Sequence, residues 1–182
     1  SNPKKAVYFS NKTEINSFDV DVITTSRKTL YKALLKKYID HEGEILFDHT
    51  LSNLCINNSE VHFLNNATYK VKHIAACDGI NSLCRNQVLS SGDPIYSGYS
   101  VWRSIVDKTQ DNIETLLGPN YHIVTYPISS SKVSFVAAIK TSKEYIESWK
   151  MPGTLEELKA DIPRSADEFL SILDERSILY KW

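Results

Sequence analysis

"HIAACDGINSLCR", residues 73–85, starts as an apolar run, reaches Asp-Gly and then opens like a helix. Its first five residues do not alternate polar with apolar, which predicts a strand covered on both faces. Asp78-Gly79 predicts a tight strand-to-helix turn, because glycine accepts positive φ and aspartate bonds nearby backbone. Asn81 or Ser82 can cap the helix that follows, to about Leu89. An acid and a glycine at a strand tip also sit where α/β folds bring ligands, at the carboxyl ends of strands. On these residues alone, an ordinary turn and a ligand-bearing turn both stand.

Upstream, "FDVDVITTSRKTLYKALLKKYIDHEG", residues 18–43, predicts a short strand and then a helix. Thr25 or Ser26 can cap it, Leu30, Leu34 and Tyr38 recur at i+4 spacing, and Gly43 lies beyond its end. "EILFDHT", "LSNLCIN", "EVHFLN" and "TYKVKHIAAC" then predict a meander of short strands, with Asn57-Asn58 and Asn65-Asn66 as turns. Its last strand enters a different, more buried sheet.

Downstream, "SSGDP" at 90–94 marks a boundary. "IYSGYSVWRSIVD", "YHIVTYPI" and "KVSFVAAIK" are strand candidates rich in β-branched and aromatic residues. Helices are expected at about 143–149, 154–161 and 166–174, and "SILYKW" reads as a further strand. The fold class is α+β, with one portion over 1–89 and a sheet-based portion with flanking helices over 93–182.

Composition narrows the function. The 182 residues are 42 % hydrophobic and 24 % charged, with a net charge of −1, which argues against general affinity for nucleic acid or anionic membrane. No apolar run approaches the roughly 20 residues of a membrane span. Three cysteines without a Cys-x-x-Cys pair read as reduced thiols, and so as a cytoplasmic protein. No zinc-protease, serine-elbow or phosphate-loop motif occurs, and five scattered histidines offer no metal spacing. The six glycines lie too far apart for a dinucleotide-binding fingerprint.

What remains is a constellation: Arg27-x-x-Leu30, then Cys77-Asp78-Gly79-Ile80-Asn81-Ser82-x-x-Arg85 after a meander, "YSGYSVWR" ending at Arg103, and "TYPI" at 125–128. In order and spacing it resembles the middle portion of the group A FAD-dependent aromatic monooxygenases, the salicylate and para-hydroxybenzoate hydroxylase type. That family's N-terminal Gly-x-Gly-x-x-Gly unit and C-terminal Gly-Asp motif have no counterpart here, so the chain reads as a fragment without both flanks. The resemblance implies that residues 1–89 are an incomplete part of an FAD-binding domain and 93–182 a substrate-binding domain. It also implies hydroxylation of a small aromatic compound with FAD, NADH or NADPH, and O2. The fragment alone is expected to be inactive and to carry no cofactor.

By the same resemblance Asp78 supports FAD on its ribose side, Gly79 lets backbone approach it, and Arg85 serves the cofactor and pyridine nucleotide. Arg27 would face the flavin side of the cleft. A helix start after the turn favours negative groups. Arg27 also reads as a surface residue near a cap, and Arg85 as one partner of an ion pair. On "YHIVTYPI", His122 and Tyr126 share one face, and Pro127 ends regular pairing or marks an edge. His122, Tyr126 and Trp102 are the substrate-binding candidates, with core packing the competing role for Trp102. The flavin carries the chemistry, so no catalytic side chain and no metal ligand is assigned. A related flavoprotein that does not hydroxylate, and a cofactor-free binding domain, are the alternatives.

Overall fold

The computed structural model describes residues 1–90, 92–142, 151–174 and 176–181. The elements in chain order are strands β1 (Lys5–Ser10) and β2 (Thr13–Asp19), helix α1 (Arg27–Asp40), strands β3 (Leu51–Cys55), β4 (Glu60–Phe63) and β5 (Thr68–Lys70), and helix α2 (Leu83–Leu89). Then come β6 (Tyr99–Asp107), β7 (Ile113–Gly118), β8 (Tyr121–Pro127), β9 (Lys132–Lys140), β10 (Pro152–Gly153), α3 (Leu155–Asp161), α4 (Asp167–Leu170) and β11 (Leu179–Lys181). The architecture is α+β, as the sequence predicts.

Two compact units divide the chain: Ser1–Leu35 with Ser97–Trp182, and Lys36–Tyr96. The second changeover lies close to the boundary read at 90–94, while the first 35 residues pack with the later part of the chain.

The first unit is built on an eight-stranded sheet in the order β10-β11-β6-β9-β8-β7-β1-β2. All its pairings are antiparallel except β1 with β7. Its three long strands alternate strictly enough to give each face a character. Trp102 and Val106 of β6, Ile123 and Thr125 of β8, and Val133, Phe135 and Ala137 of β9 are buried. On that side Leu158 of α3, Ala166 of the 3-10 turn Arg164–Ala166 and Leu170 of α4 complete one hydrophobic core with them. The opposite side, carrying Arg103, Val124, Tyr126, Ser134 and Val136, is only half-buried. Pro127 is the last residue of β8, which lies between β7 and β9, so it ends pairing and does not mark an edge.

Helix α3 starts as its sequence demands. Thr154 accepts from the Glu157 backbone and Glu157 reaches back to the Thr154 N–H, a reciprocal capping box. The expected 166–174 helix is a 3-10 turn and the single-turn α4. The expected helix at 143–149 lies outside the described residues. Strands β1, β7 and β10 have no counterpart in the sequence reading, and of the short strand expected before α1 only Phe18 and Asp19 are strand, as the end of β2.

The second unit holds the antiparallel sheet β3-β4-β5 and α2, tied together where Gln87 accepts from Leu54 N–H (2.8 Å) and donates to Asn53 Oδ1 (2.9 Å). The meander is therefore present, with Ser59 and Asn66 at positive φ in its turns. Residues 44–50 form no strand. Nor do residues 73–77, the strand that was to enter a buried sheet; they are irregular and exposed. A strand apolar on both faces needs partners on its edges, and among the described residues none pairs with it. Likewise Leu30, Leu34 and Tyr38 lie half-exposed on α1, which buries no side chain.

Candidate functional site

The open face of the large sheet floors a cleft of about 820 Å³. Register decides what meets there. Ser134 pairs with Tyr126 on one side and Ile105 on the other, and Arg103 pairs with Val136 and with Tyr180 of β11. Tyr126 and Arg103 are thus diagonal neighbours across β9, both in the cleft lining. The start of α1 forms one wall, with Thr25, Ser26 and Arg27. Ser26 Oγ caps that helix by accepting from Thr29 N–H (3.1 Å). Thr24, donating through Oγ1 to the Pro127 carbonyl, ties the helix entry to the end of β8. The segment after α4 supplies another wall through Ile172, Asp174 and Ile178.

The cleft mixes apolar and polar side chains, and its arginines outnumber its acids. Its two acids are both paired: Asp107 with Lys132 (2.5 Å) outside the lining, and Asp174 with Arg176 (2.8 Å) within it. Arg27 and Arg103 are the other cationic side chains of the lining. Burial, with Arg27 nearby, pulls the Arg103 guanidinium below its ordinary value while Tyr126 opposes the shift. An arginine remains charged throughout the working pH range. Phenol, guanidinium and serine hydroxyls beside Ile105 and Ile178 can hold a flat ring that carries an acidic or phenolic group.

The other predicted residues fall into two places. Asp78, Gly79 and Arg85 make up a turn in the second unit. Ser82 Oγ donates to Asp78 Oδ1 (2.6 Å), and the Cys84 N–H donates to Asp78 Oδ2 (3.1 Å). These two bonds hold the Asp78 carboxyl at about 2. Burial, and then Asp78 itself, push the Cys84 thiol up. Ser82, one of the two expected caps, accepts from Arg85 N–H (2.9 Å). The Arg85 guanidinium donates to the Ile80 carbonyl. Gly79 has φ +83°, and a Cβ there would meet nothing within 4 Å, so its backbone is open to approach.

Trp102 and His122 lie outside the cleft lining: Trp102 is fully buried in the core, and His122 is exposed on β8. Sequence reading assigned no role to Arg103, although it closes the "YSGYSVWR" motif. The signal was available, since a buried Trp102 puts Arg103 on the opposite face. Among the described residues no group of three histidine, cysteine or carboxylate side chains could hold a metal.

No family model matches the chain. Over 111 residues, 55 % of this chain, it is 32 % identical to the 3-amino-4-hydroxybenzoate 2-monooxygenase PtnB3 of Streptomyces platensis. Klebsiella pneumoniae HpxO, solved with FAD and uric acid, superposes at a TM-score of 0.72 with 16 % identity over 99 % of the chain. A salicylate hydroxylase substrate complex does so at 0.69, with 18 % identity over 98 %. The chain has the fold of the FAD-dependent aromatic monooxygenases. It spans 51 % of each of these two solved chains, and the matched stretch covers 27 % of the Streptomyces platensis protein. The resemblance read from the sequence is thus met by a relative over 55 % of the chain and by the fold over nearly all of it. No helix among the described residues is long and apolar enough to cross a membrane.

Proposed function

We propose that this chain is part of a monooxygenase that hydroxylates a small, acidic aromatic compound using FAD, NADH or NADPH, and O2. The observation that carries the reading is the cleft on the open sheet face, where Arg103 and Tyr126 adjoin beside an apolar wall and Arg27 stands at the helix entry. FAD, when bound, supplies the redox and oxygen chemistry, and the protein supplies orientation and polarity.

In this reading Arg103 holds the carboxylate or phenolate of the substrate, a charge-assisted contact. The Tyr126 hydroxyl hydrogen-bonds the ring's polar group and fixes which carbon faces the flavin. Ile105, Ile128 and Ile178 pack against the ring and exclude water. Arg27 favours an anionic group of the cofactor at the cleft mouth. Asp78, Gly79 and Arg85 form the turn assigned to the cofactor, and the open backbone at Gly79 fits close approach of such a group. The division into a cofactor portion at 1–89 and a substrate portion at 93–182 belongs to the same proposal. So does a cytoplasmic location, which suits three unbridged thiols at Cys55, Cys77 and Cys84.

The test is made on the complete protein. It should purify yellow, and hydroxybenzoates should accelerate its NAD(P)H oxidation, with one oxygen atom of O2 entering the product ring. Flavin binding without oxygen transfer to any aromatic acid would leave an oxidoreductase that does not hydroxylate. Absence of flavin would leave a binding domain.

A further inference from the structure

A second cavity, of about 330 Å³, lies between the large sheet and α4, on the side of β8 that carries Thr125 rather than Tyr126. Its volume suits one small molecule. Phe9, Phe169 and Ile172 form its apolar wall, the two rings edge-to-face with centroids 5.5 Å apart. Its charged side chains are of both signs: Glu114 of β7, Glu168 of α4, Lys12 of the β1–β2 turn and Lys108 just beyond β6. Among the described residues none of these four makes an ion pair or a side-chain hydrogen bond. Asp107 and Asp111, close by in sequence, do pair, with Lys132 and Lys4. Gln110 is held through its amide nitrogen, which donates to the Asn112 carbonyl (2.7 Å), the Thr125 carbonyl (3.1 Å) and Thr125 Oγ1 (3.0 Å). Its amide oxygen accepts no bond among the described residues.

We propose that this cavity binds a free amino acid with an apolar side chain. Glu114, Glu168 and the Gln110 amide oxygen receive its ammonium, Lys12 and Lys108 its carboxylate, and Phe9, Phe169 and Ile172 its side chain. Burial pushes the Glu114 carboxyl up, with Lys108 opposing and Glu168 adding to the shift. An ammonium beside the two carboxylates answers the lost hydration and the like-charge repulsion together. A ligand of one sign would satisfy one pair of charges and be repelled by the other, whereas a zwitterion matches both. No ion pair within the cavity has to break first, which lowers the cost of binding. The site is separate from the cleft on the open face, since among the described residues the two linings share Ile172 alone. It does not depend on the flavin reading.

Isothermal titration calorimetry on the complete protein, with L-leucine, isoamylamine and 4-methylpentanoate as probes, tests the site. Leucine should saturate a single site. The amine, which lacks the carboxylate, and the acid, which lacks the ammonium, should each bind at least about tenfold more weakly. Glu114→Gln keeps the shape of the side chain and should weaken leucine by about tenfold while the circular dichroism spectrum is unchanged. Replacing Lys12 and Lys108 together by methionine should weaken leucine without weakening isoamylamine. Arg103→Gln, which alters the cleft on the other face, should leave leucine affinity as it is. Failure of leucine to saturate at tens of millimolar would overturn the proposal. So would isoamylamine binding as tightly as leucine, which would make this a plain cation site. A loss of leucine affinity in Arg103→Gln but not in Glu114→Gln would place the amino acid in the cleft and equally overturn it.

Discussion

Gly153 and Trp102 should prove strongly coupled. Trp102 is fully buried, and a Cβ placed on Gly153 would stand 2.3 Å from its ring. Lys181 lies 5.3 Å above the ring centroid, and the indole N–H has no hydrogen-bond partner among the described residues. Trp102→Ala removes this packing and should cost about 3–5 kcal/mol. At 2–4 °C per kcal/mol, typical of a chain this long, the melting point should fall by roughly 6–20 °C. Trp102→Phe should cost far less, because it keeps most of the ring and removes an orphaned donor whose burial costs about 1–3 kcal/mol. Gly153→Ala should cost about 1–3 kcal/mol by overpacking. In the Trp102→Ala background its methyl enters vacated space, so the cost should fall to near zero and leave a coupling of about 1–3 kcal/mol. Urea denaturation of the four species, followed by far-ultraviolet circular dichroism, measures the cycle. Equal costs for Gly153→Ala in both backgrounds would mean that the ring does not occupy that space. A Trp102→Phe variant of normal stability but raised KM would return Trp102 to the substrate.

Three further outcomes are expected. Tyr126→Phe in the complete protein should raise KM or uncouple NAD(P)H oxidation from hydroxylation while FAD content stays constant; unchanged kinetics would reduce Tyr126 to packing. Burial raises the Glu114 carboxyl, with Lys108 opposing and Glu168 adding to the shift. Its favourable contribution is therefore present below the ordinary 4.5 and lost as pH rises through the raised value. Glu114→Gln should melt higher than wild type at neutral pH, with the gain shrinking towards pH 4.5, and a gain independent of pH would refute the assignment. The chain of 182 residues by itself should carry no flavin after gel filtration, since its glycines make no dinucleotide fingerprint; a near-stoichiometric flavin band would contradict this.

Alternation alone placed Tyr126 on the open face of β8 and opposite Ile123, because a strand's side chains change sides with every residue. Local chemistry was equally legible. Ser26, Ser82 and Thr154 cap the helices that follow them, and the Asn-rich turns shape the meander. The Asp-Gly turn and the motifs around Arg27 and Arg103 also carried the family resemblance. Other elements had no local signal. β2, "TEINSFD", is polar and exposed throughout, and β1 owes its place to parallel pairing with β7, about a hundred residues away. The apolar run at 73–77 showed the opposite failure: its composition asks for a buried strand, but a ladder forms only where another strand supplies the partners. The cleft itself belongs to the tertiary structure. Arg27, Arg103, Tyr126 and Tyr180 come from four separate parts of the chain, and each strand's pattern says which residues share a face. Only cross-strand register and the helix entry packed beside it decide which faces meet, and those depend on pairings distant in sequence.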